Sequence, residues 1–283
     1  MFQQPQDFQK LFLDMDSFFA SVEQQVQPPW RHQPIGIAPY TGSTGCVISP
    51  SKCAKKMGVK TGMQVGEAKR ICPSLKIIES RPALYHLYHK EIIKVLNSLT
   101  PFVKIHSIDE MSIILGPHQQ NLPTASGLAQ TIKEKIKTDI GDYLTCSIGI
   151  GPNQFLAKIC AEYQKPDGFY WVSLANLSQF YGKLDLLDLT GINQRMQMAL
   201  EHLGIKSPLD FYNFSLADLA HCLHFPGKVW YYRLRGYEVD EITSCPKSIG
   251  HSCVLAPEFR NRVAARRVLI KLASKIGYRL RQE

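Results

Sequence analysis

The order of apolar runs and amphipathic stretches constrains this chain more than any other feature. KLFLDMD at 10–16 is a short apolar run ending in two acids, which predicts a buried strand that delivers carboxylates at its C-terminal end. Phe18, Phe19 and Val22 then fall at three-to-four spacing, predicting a helix over 18–25 with Ser17 as its cap. A strand at 35–38, the turn-rich TGSTG at 41–45, a strand at 46–49 and a helix over 51–57 stopped by Gly58 follow. ALYHLYHKEIIKVLNSL predicts a helix over 83–99, closed by Pro101. Two strand-like runs, 102–108 and 111–115, are separated by Asp109 and Glu110; a helix over 125–140 and a strand at 145–150 complete the set. Strand, helix, strand, strand, helix, strand is the split order of a ferredoxin-like sheet, here with an insertion after the first strand. The expected class is therefore α+β, with Asp14 on a strand near Asp109 and Glu110.

Beyond Gly168 the pattern changes to short helical pieces at 174–181, 193–203, 209–211, 216–222 and 229–234, a small all-helical unit. SCPKS at 244–248 reads as a linker, and 264–281 as a strongly basic helix. No internal repeat or low-complexity tract is visible.

Composition narrows the function classes. With 45% hydrophobic and 20% charged residues, the 283-residue chain is neither disordered, collagen-like nor a pure coiled coil. At about 150 residues per domain the length fits two domains, or three small ones. A formal charge of +9 points to an anionic partner, since clustered basic side chains attract phosphate and release its counterions. The eight cysteines are scattered without a CxxC pair or paired histidines, which argues for small thiols rather than a zinc site. MFQQPQDFQK lacks the apolar core of a secretory signal, and no run approaches the roughly 18 apolar residues that span a bilayer. A soluble protein of a reducing compartment, with no membrane partner, is expected.

Asp14, Asp109 and Glu110 at strand ends, with Asp16 nearby, are the oxygen ligands that Mg²⁺ takes, and two such ions can clamp the oxygens of an in-line phosphoryl transfer. On spacing alone, an Asp-Glu pair between strands is more often a solvated turn.

Six blocks alter that balance: LDMDSFFASVE (13–23), GVKTGM (58–63), HSIDEM (106–111), CSIGIGPNQFLAKICAEYQKPDG (146–168), LTGINQRMQMALEHLGI (189–205) and KSIGH (247–251). In this order, across nearly the whole chain, they resemble the Y-family, translesion DNA polymerases of the DinB type. The resemblance implies a palm (1–17 and 80–172), fingers (18–79), a thumb with a helix-hairpin-helix (173–243), and a linker with an incomplete little finger (244–283). It implies two Mg²⁺ ions on Asp14, Asp109 and Glu110, with the carbonyl of Met15 as a further ligand; Asp16 is expected to be structural. Phe19 matches an aromatic steric gate beneath the sugar of the incoming nucleotide. Phe18 stands beside it in the nucleotide-binding set, its ring expected in the core. Lys165 matches the lysine that reaches the triphosphate, and Ser49 a small hydroxyl residue at the phosphates.

The sequence also departs from its relatives. Where the family carries a Tyr and an Arg on the triphosphate, this chain has Lys52 and Lys55, which keep charge but lose the planar fork and the aromatic face. Where Pro-Gly-Ile-Gly is common, it has Thr190, Gly191, Ile192 and Asn193; Gly191, Ile192, Asn193 and Lys247 are the expected DNA-backbone contacts. After KSIGH only about one strand and one helix remain, so the little finger is expected to be partial and the clamp-binding peptide of relatives to be absent; a sliding clamp would be reached only through residues this chain lacks. The function implied is template-directed, low-fidelity addition of deoxynucleotides to a primer on DNA, in the cytoplasm at a bacterial nucleoid. The competing readings are a non-catalytic polymerase-like DNA-binding subunit and a nucleotide cyclase, which shares the sheet order and paired acids.

Overall fold

The structure is a computed structural model that describes residues 4–240 and 248–282. It opens with strand β1 (Lys10–Met15) and helix α1 (Phe18–Val26). There follow β2 (Ile35–Ala38), the two-residue β3 (Ser49–Pro50), α2 (Lys52–Lys56), α3 (Val65–Ile71) and β4 (Lys76–Glu79). Next come α4 (Pro82–Leu99), β5 (Val103–Ile105), β6 (Glu110–Ile114), α5 (Leu122–Lys135), β7 (Cys146–Gly151), α6 (Gln154–Tyr163) and β8 (Phe169–Trp171). Four helices then run in series: α7 (Leu177–Tyr181), α8 (Gln194–His202), α9 (Pro208–Asn213) and α10 (Leu216–Leu234). The last helix is α11 (Arg262–Leu280).

These elements fall into two compact units, one built from the described residues up to Arg31 and from 81 to 240, the other from His32–Ser80 and 248–282. The first holds a five-stranded sheet ordered β5-β6-β1-β7-β8. Its β5-β6-β1-β7 part is the ferredoxin-like order expected from the sequence, and β8 adds a parallel edge next to β7. β1 is buried along its whole length, antiparallel to both neighbours. Phe12, on one face of β1, clusters with Ala157 and Ala161 of α6. Two alanines four apart give α6 a flat seam, and Gly149, opposite Phe12 on β7, leaves room for it. A larger core joins Phe155, Leu156 and Ile159 of α6 to Phe180, Tyr181, Leu200, Phe211 and Trp230 of the later helices.

The second unit contains a three-stranded sheet ordered β3-β2-β4 over a core of Ala38, Val47, Ala54, Val59, Val65, Ala68, Cys72 and Leu75. Ser51 caps α2, its Oγ accepting the Ala54 N–H at 3.3 Å, and Gly58 ends that turn at φ +91°, the left-handed region that favours glycine. Asn261 caps α11 in the same way, through the Ala264 N–H.

Several sequence expectations change. Ser17 occupies the cap position of α1 but sits in the left-handed region (φ 49°), and its side chain makes no capping bond. The strand expected at 46–49 shrinks to a single bridge between Cys46 and Gln64 plus β3. Glu110 is the first residue of β6 rather than part of a connection. The helix expected over 125–140 starts at Leu122, capped by Asn121, and widens into a π-turn at Ile136–Ile140. The pieces at 216–222 and 229–234 lie within α10, which breaks at His224 (φ 55°). α3, β4, α6 and β8 are elements the periodicity did not single out. Among the described residues no helix is long and apolar enough to cross a membrane.

Candidate active site

The register of the first sheet builds the site. Asp14 lies directly opposite Glu110 on β6 and Ser147 on β7, so the two carboxylates emerge on the same face at the end of the strand pair. The Met15 N–H donates to the Asp109 carbonyl at 2.9 Å, which ties the residue before Glu110 to the end of β1. A third acid joins them from α6: among the described residues, carboxylate oxygens of Asp14, Glu110 and Glu162 lie within 4.8 Å of one another. This is a hard, all-oxygen donor set of the kind a divalent cation takes. Asp109 stands outside that triad; its Oδ1 accepts from the Ser107 hydroxyl at 2.6 Å, while the Ser107 oxygen accepts the Glu110 N–H at 3.0 Å.

Two lysines face the acids. Lys158 Nζ donates to both Glu110 oxygens at 2.7 and 2.8 Å and lies 5.3 Å over the Phe12 ring. Lys165, just past the end of α6, pairs with Asp14 at 2.7 Å and Glu162 at 2.9 Å. Positions 158, 162 and 165 follow the i, i+4, i+7 spacing of one helix face, and this stripe is the signal from which Lys158 and Glu162 could have been read.

Burial pushes the Asp14 carboxyl up to about 7, and the Lys165 ammonium beside it opposes that shift only in part. Burial also works to lower the Lys165 ammonium, but the Asp14 and Glu162 carboxylates outweigh it and hold the group above its ordinary value. A divalent cation needs the ionised carboxylate, so a proton competes with it below about pH 7. In protein free of DNA, Mn²⁺ affinity measured by calorimetry is expected to rise towards tenfold per pH unit up to about pH 7 and to level off above it. Affinity flat from pH 5 to 8 would rule this out.

Asp16 has a different task, as expected. It is buried, and its carboxylate accepts from the hydroxyls of Thr145 (2.6 Å) and Ser147 (2.8 Å) and from the Asp167 N–H (2.7 Å), pinning the KPDG segment to β7.

The structure places the remaining expected residues as follows. Phe18 is buried in the core; Phe19 is half-buried, its ring stacked on Tyr85. In the second unit Ser49 is buried on β3, and Lys52 and Lys55, three apart on α2, share a helix face with Lys55 exposed. Gly191 adopts φ +96° against Trp230, and Ile192 is buried. Asn193 caps α8, its Oδ1 accepting the Met196 N–H at 2.9 Å. Lys247 lies outside the described residues.

Comparison with known proteins agrees with this geometry. The sequence model of the impB/mucB/samB family matches residues 13–162, the stretch that contains every acid of the site. The chain belongs to this family, the Y-family DNA polymerases. A member from Moorella thermoacetica named DNA polymerase IV is 32% identical over 277 residues, covering 96% of this chain and 69% of that one. The DNA polymerase IV of Yersinia enterocolitica is 30% identical over 274 residues, covering 96% and 77%. Among solved Y-family structures, DinB from Sulfolobus solfataricus superposes with a TM-score of 0.70 at 28% identity. The insertion ternary complex of the Dbh DNA polymerase gives 0.72, also at 28%. Both matches cover 80% of this chain and 66% of the solved one, so this Y-family chain spans about two thirds of the polymerases it superposes on.

Proposed function

We propose that this chain is a template-directed DNA polymerase of the translesion type, extending a primer 3′-end with deoxynucleoside triphosphates. The observation that carries the proposal is the pairing of Asp14 and Glu110 across β1 and β6, within a stretch that matches the polymerase family. We assign residues 1–17 and 80–172 to a palm, 18–79 to fingers, 173–243 to a thumb and 244–283 to a linker with part of a little finger.

In this reading Asp14, Asp109 and Glu110, with the Met15 carbonyl, hold two Mg²⁺ ions. The all-oxygen cluster of buried Asp14 with Glu110 and Glu162 fits such ions, which would supply neutralisation of the triphosphate and a more acidic primer hydroxyl. The primer 3′-oxygen attacks the α-phosphorus in line; the bond to the bridging oxygen breaks and pyrophosphate leaves. Lys165, already beside Asp14, turns to the triphosphate; Ser49, Lys52 and Lys55 of the fingers are assigned to nucleotide binding as well. Phe19 lies under the sugar. The positive-φ turn at Gly191, followed by Ile192 and by Asn193 at the cap of α8, forms half of a helix-hairpin-helix that grips a DNA phosphate through backbone N–H groups at the start of α8 without reading sequence; the Ile192 N–H is itself held by the Leu189 carbonyl at 2.9 Å. Primer-template DNA is the macromolecular partner, at the nucleoid in the cytoplasm; Lys247, outside the described residues, is assigned to DNA binding as well.

The test is extension of a labelled primer on a defined template with the four deoxynucleotides and Mg²⁺. Extension that follows the template and vanishes in Asp109→Ala is the expected result. Absence of extension, or extension that survives Glu110→Ala, overturns the proposal; absence with intact DNA binding would restore the non-catalytic reading.

A further inference from the structure

Phe19 does not stand alone. Its ring stacks on Tyr85 with centroids 4.4 Å apart and planes 16° from parallel. Tyr85 is buried, and its hydroxyl donates to Glu23 Oε1 at 2.9 Å. Glu23 lies one turn beyond Phe19 on α1, and its side chain is 0% exposed. Arg81 completes the set from the cap position of α4, one turn before Tyr85: its Nε donates to Glu23 Oε1 at 2.9 Å and its Nη2 to Oε2. Two positions on α1 and two on α4 thus form a closed frame, with a carboxylate at one corner and the Phe19 ring at the other.

A fully buried carboxylate is costly, and an ion pair of this kind is weak evidence for stability, since a packed hydrocarbon often serves as well. What hydrocarbon lacks is direction. Glu23 accepts three hydrogen bonds, one fixing the Tyr85 hydroxyl and two in the planar fork of Arg81. A swing of the Tyr85 side chain away from α1 would break the first of these, so the far end of the ring on which Phe19 rests is anchored in one place. Burial and the Glu23 hydrogen bond hold the Tyr85 phenol above its ordinary value, so this donor keeps its proton.

We propose that the Glu23–Arg81 pair is a positioning latch for sugar selection: by anchoring Tyr85 it sets the height of the Phe19 ring beneath the incoming sugar. The inference rests on the reading of Phe19 as the residue under the sugar. A purely structural tie between α1 and α4 would affect ribo- and deoxyribonucleotides alike. A latch affects their ratio, because the excluded 2′-hydroxyl is about the size of the displacement a loosened ring allows.

Single-nucleotide insertion by the full chain, measured as kcat/KM for a ribo- and a deoxyribonucleoside triphosphate, distinguishes these possibilities. A misplacement of about 1 Å costs up to about 100-fold in a positioned reaction, and the latch, acting through one intermediate ring, is expected to cost about tenfold in discrimination. Phe19→Ala is expected to abolish most of the sugar preference. Glu23→Gln, and Tyr85→Phe as the gentler variant should Glu23→Gln not fold, are expected to lower the preference about tenfold with a smaller change in deoxynucleotide kcat/KM. Neither is expected to lower it further in the Phe19→Ala background. If Phe19→Ala relaxes selection while Tyr85→Phe and Glu23→Gln leave the ratio at the wild-type value, the latch is overturned and the gate stands. The latch is overturned equally if its variants lower the ratio as much without Phe19 as with it. If Phe19→Ala leaves the ratio unchanged, the reading of Phe19 falls and the latch falls with it.

Discussion

Asp14→Asn is expected to reduce the rate of nucleotide insertion by about three orders of magnitude, the upper range for removing one preorganised electrostatic group from a transition state. The substitution keeps the shape of the side chain and one acceptor oxygen but removes the charge at the point where β1, β6 and α6 converge. Lys165 retains Glu162 as a partner, so no buried ammonium is left alone. Burial raises the Asp14 carboxyl to about 7, which means that the folded protein disfavours the ionised form. The sign follows: this group's cost to stability is absent below the unfolded carboxylate range near pH 4, grows as pH rises, and is complete above about 7. An amide escapes that cost, so at pH 8 the variant should melt no lower than the wild type even as activity disappears. Single-turnover insertion and thermal melting at pH 8 measure the two halves separately. A variant within tenfold of wild-type activity would remove Asp14 from the chemistry; one that fails to fold would assign it to the scaffold.

Gly149→Ala is expected to cost stability of about 3 kcal/mol or more, at or beyond the upper end for overpacking a core. A Cβ at this position would meet the Ala157 carbonyl oxygen at 2.0 Å, the Ala161 nitrogen at 2.3 Å and the Cys160 Cβ at 2.7 Å. Two of these are helix backbone atoms, which have no rotamer to escape into, so α6 must lift from β7. Since α6 carries Lys158 and Glu162 and leads into Lys165, insertion activity should fall with stability. Urea unfolding gives the first quantity and primer extension the second. A loss below 1 kcal/mol would mean that α6 does not depend on this close seat.

Much of the first unit is legible in the amino-acid order alone. The buried run at 10–15, the long helix after Pro82 and the paired acids each announce themselves within about twenty residues, because local periodicity and strand-end chemistry are short-range signals. The structural role of Asp16 comes from the family resemblance, not from the order itself, since its three donors come from residues more than 120 positions away. What escapes depends on contacts between distant segments. Glu162 and Lys158 sit in a helix whose apolar positions suggest only packing, and they join the acids because Gly149 admits α6 to the sheet. The Glu23 frame joins positions 58 and 62 residues apart. β4 is four residues paired in parallel to β2, so its strand character comes from its neighbour more than from KIIE itself. The left-handed Ser17 and the π-turn after α5 are local geometries that tertiary packing imposes on ordinary helical sequence.

The two lysines that face the acids have a consequence for how such a protein waits. Lys158 and Lys165 set two positive charges against the carboxylates of Asp14, Glu110 and Glu162, so with all three ionised the resting cluster carries a residual charge of only about one negative unit instead of three, and less where Asp14 holds its proton. The chain thereby brings its own counterions to the site. In the proposed reaction, a cation that takes the carboxylates would release the ammonium groups to meet an anion. In that reading, the move that opens the acids to one charge would prepare the lysines for the opposite one, and cation and triphosphate would favour each other's arrival.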